Sequence, residues 1–232
     1  MYLSRVRVDL NGLARGALFA VMNSEPYGAH QLLWRLFPDY SGPRPFLFRQ
    51  EQEECNDGRE APKGLPLFYV LSEREPVAIS GLLDVESKVF APLLRAGDRL
   101  SFRLRANPTL SRRVADAKRS PRSDVLMHAK SMFPAGERTS AACVAAMDAA
   151  ARHWLVGRGG NAGFELHGDP VVGGYRQHAL EKAPRRPPIQ FSSVDYEGFL
   201  EVTDADVFNA MLLQGLGRSK AFGCGLMLIR RA

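Results

Sequence analysis

The segment Arg99-Leu100-Ser101-Phe102-Arg103-Leu104-Arg105 alternates strictly, with Leu100, Phe102 and Leu104 on one side of the chain and Arg99, Ser101, Arg103 and Arg105 on the other. Only an extended strand has a period of two. The segment must therefore lie in a sheet, with one face against a core and three guanidiniums on the other. Asn107-Pro108 then closes the strand. A row of like charges on one sheet face is unfavourable without anions beside it. Two kinds of partner meet that need: carboxylates elsewhere in the fold, or the phosphates of a bound polyanion.

The pattern around this strand repeats. Residues 2–9 alternate like a first strand, and a helical stretch follows that ends near Phe37, with Pro38 as its stop signal. Residues 45–50 and 66–71 read as strands separated by the polar loop 52–63, and the arginine strand completes the series. After Pro108 the order recurs. Residues 110–129 are basic and read as extended, and residues 139–156 form a helix with Val144, Met147, Ala151, Trp154 and Leu155 at helical spacing, ended by the glycines of 157–163. Two extended stretches, 164–172 and 189–202, flank the basic, proline-rich YRQHALEKAPRRPP, which suits a protruding hairpin. Residues 204–213 form a second helix capped by Thr203 or Asp204, and 221–230 a final strand. Both halves approximate β-α-β-β-α-β, with the second helix of the first half faint. That order is the ferredoxin-like plan, an α+β fold with antiparallel sheets, repeated as domains 1–107 and 108–232.

An apolar share of 45% beside 24% charge is that of a soluble globular chain, and 232 residues suffice for one large domain or two small ones. No run of about 18 uncharged apolar residues occurs, so the expected location is the cytoplasm, away from any membrane. Cys55, Cys143 and Cys224 stand alone, with no CxxC and no paired histidines. Neither a disulfide framework nor a zinc site is suggested.

The net charge of +6 is unevenly spread, since residues 95–130 hold ten Lys or Arg against three Asp. This one segment carries the whole cationic excess. It is the footprint expected for nucleic acid, or else a solvated basic surface.

Three groups are candidates for chemistry. In QGLGRSKAFGCGLM, Gly217, Arg218, Ser219 and Lys220 lie in a glycine-rich turn between a helix and a strand, where bare backbone N–H groups and the lysine suit a phosphate. Lysine at 220 excludes a dinucleotide fingerprint, the G-K-[ST] of an NTPase loop is absent, and the aromatic RNP1 pattern is absent as well. The second group is in SEPYGAHQLLWRLFP, where Tyr27 and His30 lie three apart near a helix N-terminus, with Pro26 in the first turn. There the helix dipole favours neutral imidazole, usable as a base. His30 also shares a stripe with Leu33, Trp34 and Phe37, as a packed histidine would. The third group is the basic run Arg112, Arg113, Lys118, Arg119 and Arg122.

No G-x-S-x-G elbow, no HExxH and no carboxylate cluster for two-metal chemistry is present, and no metal or cofactor is expected. RNA permits cleavage without metal because its 2′-OH can attack the adjacent phosphate. That step needs in-line placement, a base, a proton donor for the departing 5′ oxygen and cations at the phosphorane.

PYGAHQLLWRLFP, LSFRLRANP and YEGFLEVTDADVFNAMLLQGLGRSKAFGCGLM, in this order and at these distances, resemble the CasE-type CRISPR RNA-processing endoribonucleases of type I-E systems. The resemblance spans most of the chain. It implies tandem ferredoxin-like (RRM-like, RAMP) domains that bind the repeat hairpin of pre-crRNA and cleave at the 3′ base of its stem without metal. The products carry a 2′,3′-cyclic phosphate or 3′-phosphate and a 5′-hydroxyl, and the enzyme stays on the mature crRNA with other Cascade subunits. The family's catalytic histidine falls on His30, a tyrosine of some members on Tyr27, and its glycine-rich loop on residues 215–225. Arg103 and Arg105 are then expected to hold the RNA backbone or to support the first domain's sheet. The cation at the phosphorane is left open among Lys220, Arg218 and Arg35. Because the major groove of an RNA stem is deep and narrow, it must be entered by a narrow basic hairpin. Residues 112–122 are favoured over 175–186 for that role. The alternative is a non-catalytic RNA-binding subunit of the same fold.

Overall fold

The computed structural model describes residues 1–9, 26–52, 65–111, 122–180 and 188–232, with residues 26, 27 and 122 described by their backbone alone. Contacts divide the chain into two compact units, one of Met1–Pro92 with Lys220–Leu226, the other of Leu93–Ser219 with Met227–Ala232.

The first unit is built on β1 (Tyr2–Val8), α1 (Pro26–Trp34), β2 (Phe46–Gln52), β3 (Pro66–Ser72) and β4 (Leu83–Val89). Its antiparallel sheet has the order β2-β3-β1-β4, with Val6 opposite Phe68 and Val85. This is the ferredoxin-like strand order. β1 alternates because its inner positions, Ser4, Val6 and Val8, are buried while Arg5 and Arg7 reach Glu86 of β4 at 2.8 Å on the outer face. α1 covers the inner face with Ala29 and Leu33, and Leu36 and Phe37 continue the stripe in the following turn. They meet Phe46, Phe48, Phe68 and Val70 in the core. The faint second helix is absent among the described residues of this unit, where an irregular segment closed by an Ile79–Leu83 bridge leads into β4.

The second unit holds β5 (Arg99–Ala106), β6 (Thr109–Ser111), β7 (Arg122–Asp124), α2 (Val125–Ser131), α3 (Ala141–Gly159), β8 (Phe164–Leu166), β9 (Val171–Leu180), β10 (Ile189–Val202), α4 (Ala205–Gln214) and β11 (Met227–Arg231). Its sheet runs β11-β5-β10-β8, with β9 also on β10, which is the same strand order again. Trp154 of α3 stacks on Tyr196 of β10, with ring centroids 6.1 Å apart, and Phe164 meets Phe208 of α4 edge-on. Asp204 caps α4 by accepting from Val207 N at 3.0 Å, as the sequence suggested.

Three expectations need correction. The division falls after Pro92 and not at 107, because β5 pairs with β10 and β11 and so opens the second sheet. Residues 125–131 are helical, since Asp124 accepts from Leu126 N and Met127 N and starts α2. The final strand begins only at Met227, because residues 220–222 form a 3₁₀ turn that packs on α1 and β2 in the first unit. The first residues of the basic excursion, 175–180, lie in β9, antiparallel to β10. Residues 181–187 lie outside the described residues.

Candidate active site

His30 sits one turn into α1, at the edge of the helix stripe that enters the core. Ala29 and Leu33 beside it are fully buried, and His30 itself is half-buried. Pro26 opens the helix, where its missing N–H costs no hydrogen bond. Trp34, one turn on, donates its indole N–H to His30 Nε2 at 3.2 Å. An accepting Nε2 places the proton of a neutral ring on Nδ1. Phe46 packs on the imidazole with centroids 5.8 Å apart, and Trp34 meets it edge-on at 6.3 Å. Burial, then the positive charge of Arg44, hold His30 below its ordinary value, so the ring is neutral near pH 7. Tyr27 is on the first turn of α1, three residues before His30, and its side chain is outside the described part.

Lys220 opens the 3₁₀ turn on α1. Its ammonium is lowered by burial and then by Arg44. The turn approaches β2 closely at Gly223, where φ is +82° and a Cβ would lie 3.2 Å from the Phe48 ring. Only glycine accommodates both conditions without strain. Earlier in the loop, the N–H of Gly215 ends α4 on Met211 O at 2.7 Å, Gly217 has φ +81°, and Arg218 is exposed. Ser219, with φ +57°, accepts from Asn107 Nδ2 at 2.7 Å.

The arginine row is matched by carboxylates. β10 runs antiparallel to β5 in a register that sets Glu201 opposite Arg99, Glu197 opposite Arg103 and Asp195 opposite Arg105. The pairs close at 3.2, 2.8 and 2.9 Å, the last by two parallel hydrogen bonds. An unbalanced row reaching for phosphate is thus not what Arg103 and Arg105 form. Arg112, Arg113, Lys118 and Arg119 lie outside the described residues, and Arg122 is described by its backbone in β7. The ends of that basic run are paired, Ser111 with Arg122. Sequence reasoning passed over Arg44 and Asn107. The signal for Arg44 was the rigid Pro-Arg-Pro that leads into β2, and for Asn107 the Asn-Pro that ends β5.

Among the described residues no three His, Cys, Asp or Glu side chains gather as a metal ligand set. No helix there is long and apolar enough to cross a membrane. Cys143 and Cys224 are both buried, and Cys55 lies outside the described residues.

The chain matches the CRISPR associated protein family over residues 1–231. It belongs to that family, and within it to the CasE type. It is 28% identical over 228 residues to the CRISPR system Cascade subunit CasE of Escherichia coli K12, covering 98% of each chain. It is 30% identical over 220 residues to the CRISPR-associated endoribonuclease Cse3 of Thermus thermophilus, covering 90% of this chain and 84% of the relative. A structure of CRISPR endoribonuclease Cse3 bound to 19 nt RNA superposes with a TM-score of 0.65 at 27% identity, over 99% of this chain and 100% of the other. One of Thermus thermophilus Cse3 with an RNA representing a pre-cleavage complex gives 0.63 at 28% identity, with the same coverage. In this CRISPR-associated chain, the first unit brings together His30, Arg44 and Lys220.

Proposed function

We propose that this chain is a metal-independent endoribonuclease that binds the repeat hairpin of pre-crRNA, cuts at the 3′ base of the stem and remains on the mature crRNA as a Cascade subunit in the cytoplasm. The observation that carries this reading is a neutral, half-buried His30 near Arg44, with the turn of Lys220 packed on its helix, in a chain of the CasE type. His30 Nε2 takes the proton of the 2′-OH when RNA displaces the Trp34 indole from it. The 2′ oxygen then bonds to phosphorus, the bond to the 5′ oxygen breaks, and Tyr27 donates a proton to that oxygen. The products are a 2′,3′-cyclic phosphate and a 5′-hydroxyl. A phenol with an ordinary pKa of about 10 suits donation better than abstraction. Lys220, in the glycine-rich turn of Gly217, Arg218 and Ser219, holds the scissile phosphate. The basic run from Arg112 through Arg113, Lys118 and Arg119 to Arg122 enters the stem.

The test is cleavage of a hairpin repeat RNA in EDTA by wild type and His30→Ala, with a second substrate carrying 2′-deoxy before the cut. Wild type cuts, the deoxy substrate resists, and His30→Ala binds while losing a factor of about 10² or more in rate. If His30→Ala cuts like wild type, the histidine is a packing residue. If wild type binds without cutting, the chain only holds RNA.

A further inference from the structure

Arg44 stands between Pro43 and Pro45, immediately before β2. The two rings restrict the backbone on either side, so the side chain leaves a stiff support. Its guanidinium lies 6.0 Å from the centroid of Phe46, the ring whose centroid is 5.8 Å from that of His30. Imidazole and guanidinium thus share one aromatic neighbour. Lys220 comes from the turn packed on α1 and β2, and burial and then the Arg44 charge disfavour its ammonium. These two partly buried cations repel, and among the described residues neither is paired with a carboxylate. Arg44 Nε is buried and donates to no described group. Arg35 and Arg218, the other basic candidates, are both exposed. Such an arrangement costs stability in the free protein and is relieved by an anion bound between the two charges.

We infer that Arg44 is a catalytic residue whose guanidinium, together with Lys220, grips the nonbridging oxygens of the scissile phosphate and neutralises the charge that builds on the phosphorane. The inference rests on the endoribonuclease reading and names the cation that reading needs. A planar fork suits two phosphate oxygens better than a point charge does. The same charge has a second effect on His30, whose helix packs on β2, just after Arg44, and on the turn that carries Lys220. It favours the neutral imidazole, so loss of the guanidinium raises the pH below which His30 is protonated and idle.

The experiment compares wild type, Arg44→Gln and Arg44→Lys in EDTA, by single-turnover cleavage of hairpin RNA at saturating protein from acid to neutral pH. Affinity for the 2′-deoxy hairpin and the NMR titration of His30 in the free proteins are measured alongside. Arg44→Gln is expected to lower the plateau rate by about 10²–10³ with affinity changed less than about tenfold, as for a group that acts chiefly in the transition state. Its acid limb and its His30 titration both move to higher pH. Arg44→Lys, which keeps the charge and loses the fork, recovers part of the rate and leaves the titration in place. Arg44→Gln cutting within about threefold of wild type overturns the inference, and so does a loss matched by an equal loss of affinity, which marks uniform binding only. If the glutamine variant folds poorly, Arg44→Lys decides alone: a wild-type rate sinks the forked contact, and a slower rate with an unmoved His30 titration supports it. Wild type that never cuts removes the endoribonuclease reading and this inference with it. Wild type that cuts beside an equally fast Arg44→Gln removes this inference alone.

Discussion

Asn107 is nearly fully buried at the end of β5, and its amide holds Ser219 by a 2.7 Å hydrogen bond in a left-handed conformation that serine disfavours. Ser219 precedes Lys220 directly, so the amide fixes the start of the turn that carries the site's lysine. Asn107→Ala should destabilise the fold by about 1 kcal/mol, the usual net worth of such a bond, while slowing cleavage by about tenfold or more through misplacement of the turn. Thermal unfolding and single-turnover rates on one preparation would separate the two effects; an unchanged rate would make Asn107 purely structural. His30 was legible because its place near a helix start is a local matter. Arg44 was not: nothing in Gly-Pro-Arg-Pro says that the arginine ends beside a histidine fourteen positions earlier, since only the pairing of β2 in the first sheet brings them together.

At the scale of elements, β5 and β10 form a ladder of three ion pairs on an outer sheet face. Both halves of the ladder were readable. Asp195, Glu197 and Glu201 share the odd-numbered face of their strand as Arg99, Arg103 and Arg105 do of theirs, yet the match depends on an antiparallel register that neither strand shows alone. The two exposed pairs, Arg99–Glu201 and Arg103–Glu197, contribute about 0–1 kcal/mol each, while Arg105–Asp195 is half-buried. Arg103→Ala and Arg105→Ala are therefore expected to leave hairpin affinity and its salt dependence within experimental error. By contrast, alanine at Lys118, Arg119 and Arg122 together should weaken binding and reduce the slope of log K against log salt by about two to three, because three fewer cations would neutralise RNA phosphates. Binding isotherms at several salt concentrations distinguish the two sets, and an unchanged slope in the triple variant would exclude the 112–122 run from the stem.

For the whole molecule, the two-fold repeat of a ferredoxin-like plan was legible from element order, but its boundary was not. β4 is a charged edge strand, with Asp84, Glu86 and Lys88 in its span and burial largely confined to Leu83. Its alternation of Leu83, Val85 and Val89 with Asp84, Glu86 and Lys88 is interrupted by Ser87 and mostly exposed, so the more strongly patterned β5 is easily mistaken for the fourth strand of the first sheet. If the product stays bound, multiple-turnover assays should show a burst of about one cut per protein followed by little more. Steady cleavage of excess hairpin would instead mean that the product leaves.

The first unit takes Lys220–Leu226 from near the far end of the sequence. During synthesis from the N-terminus, residues 1–92 therefore emerge long before the turn that supplies the lysine. Until residue 220 has been made, His30 and Arg44 have no Lys220 to join. A chain that stops short of residue 220 thus carries His30 and Arg44 in a first unit that still lacks its 220–226 segment.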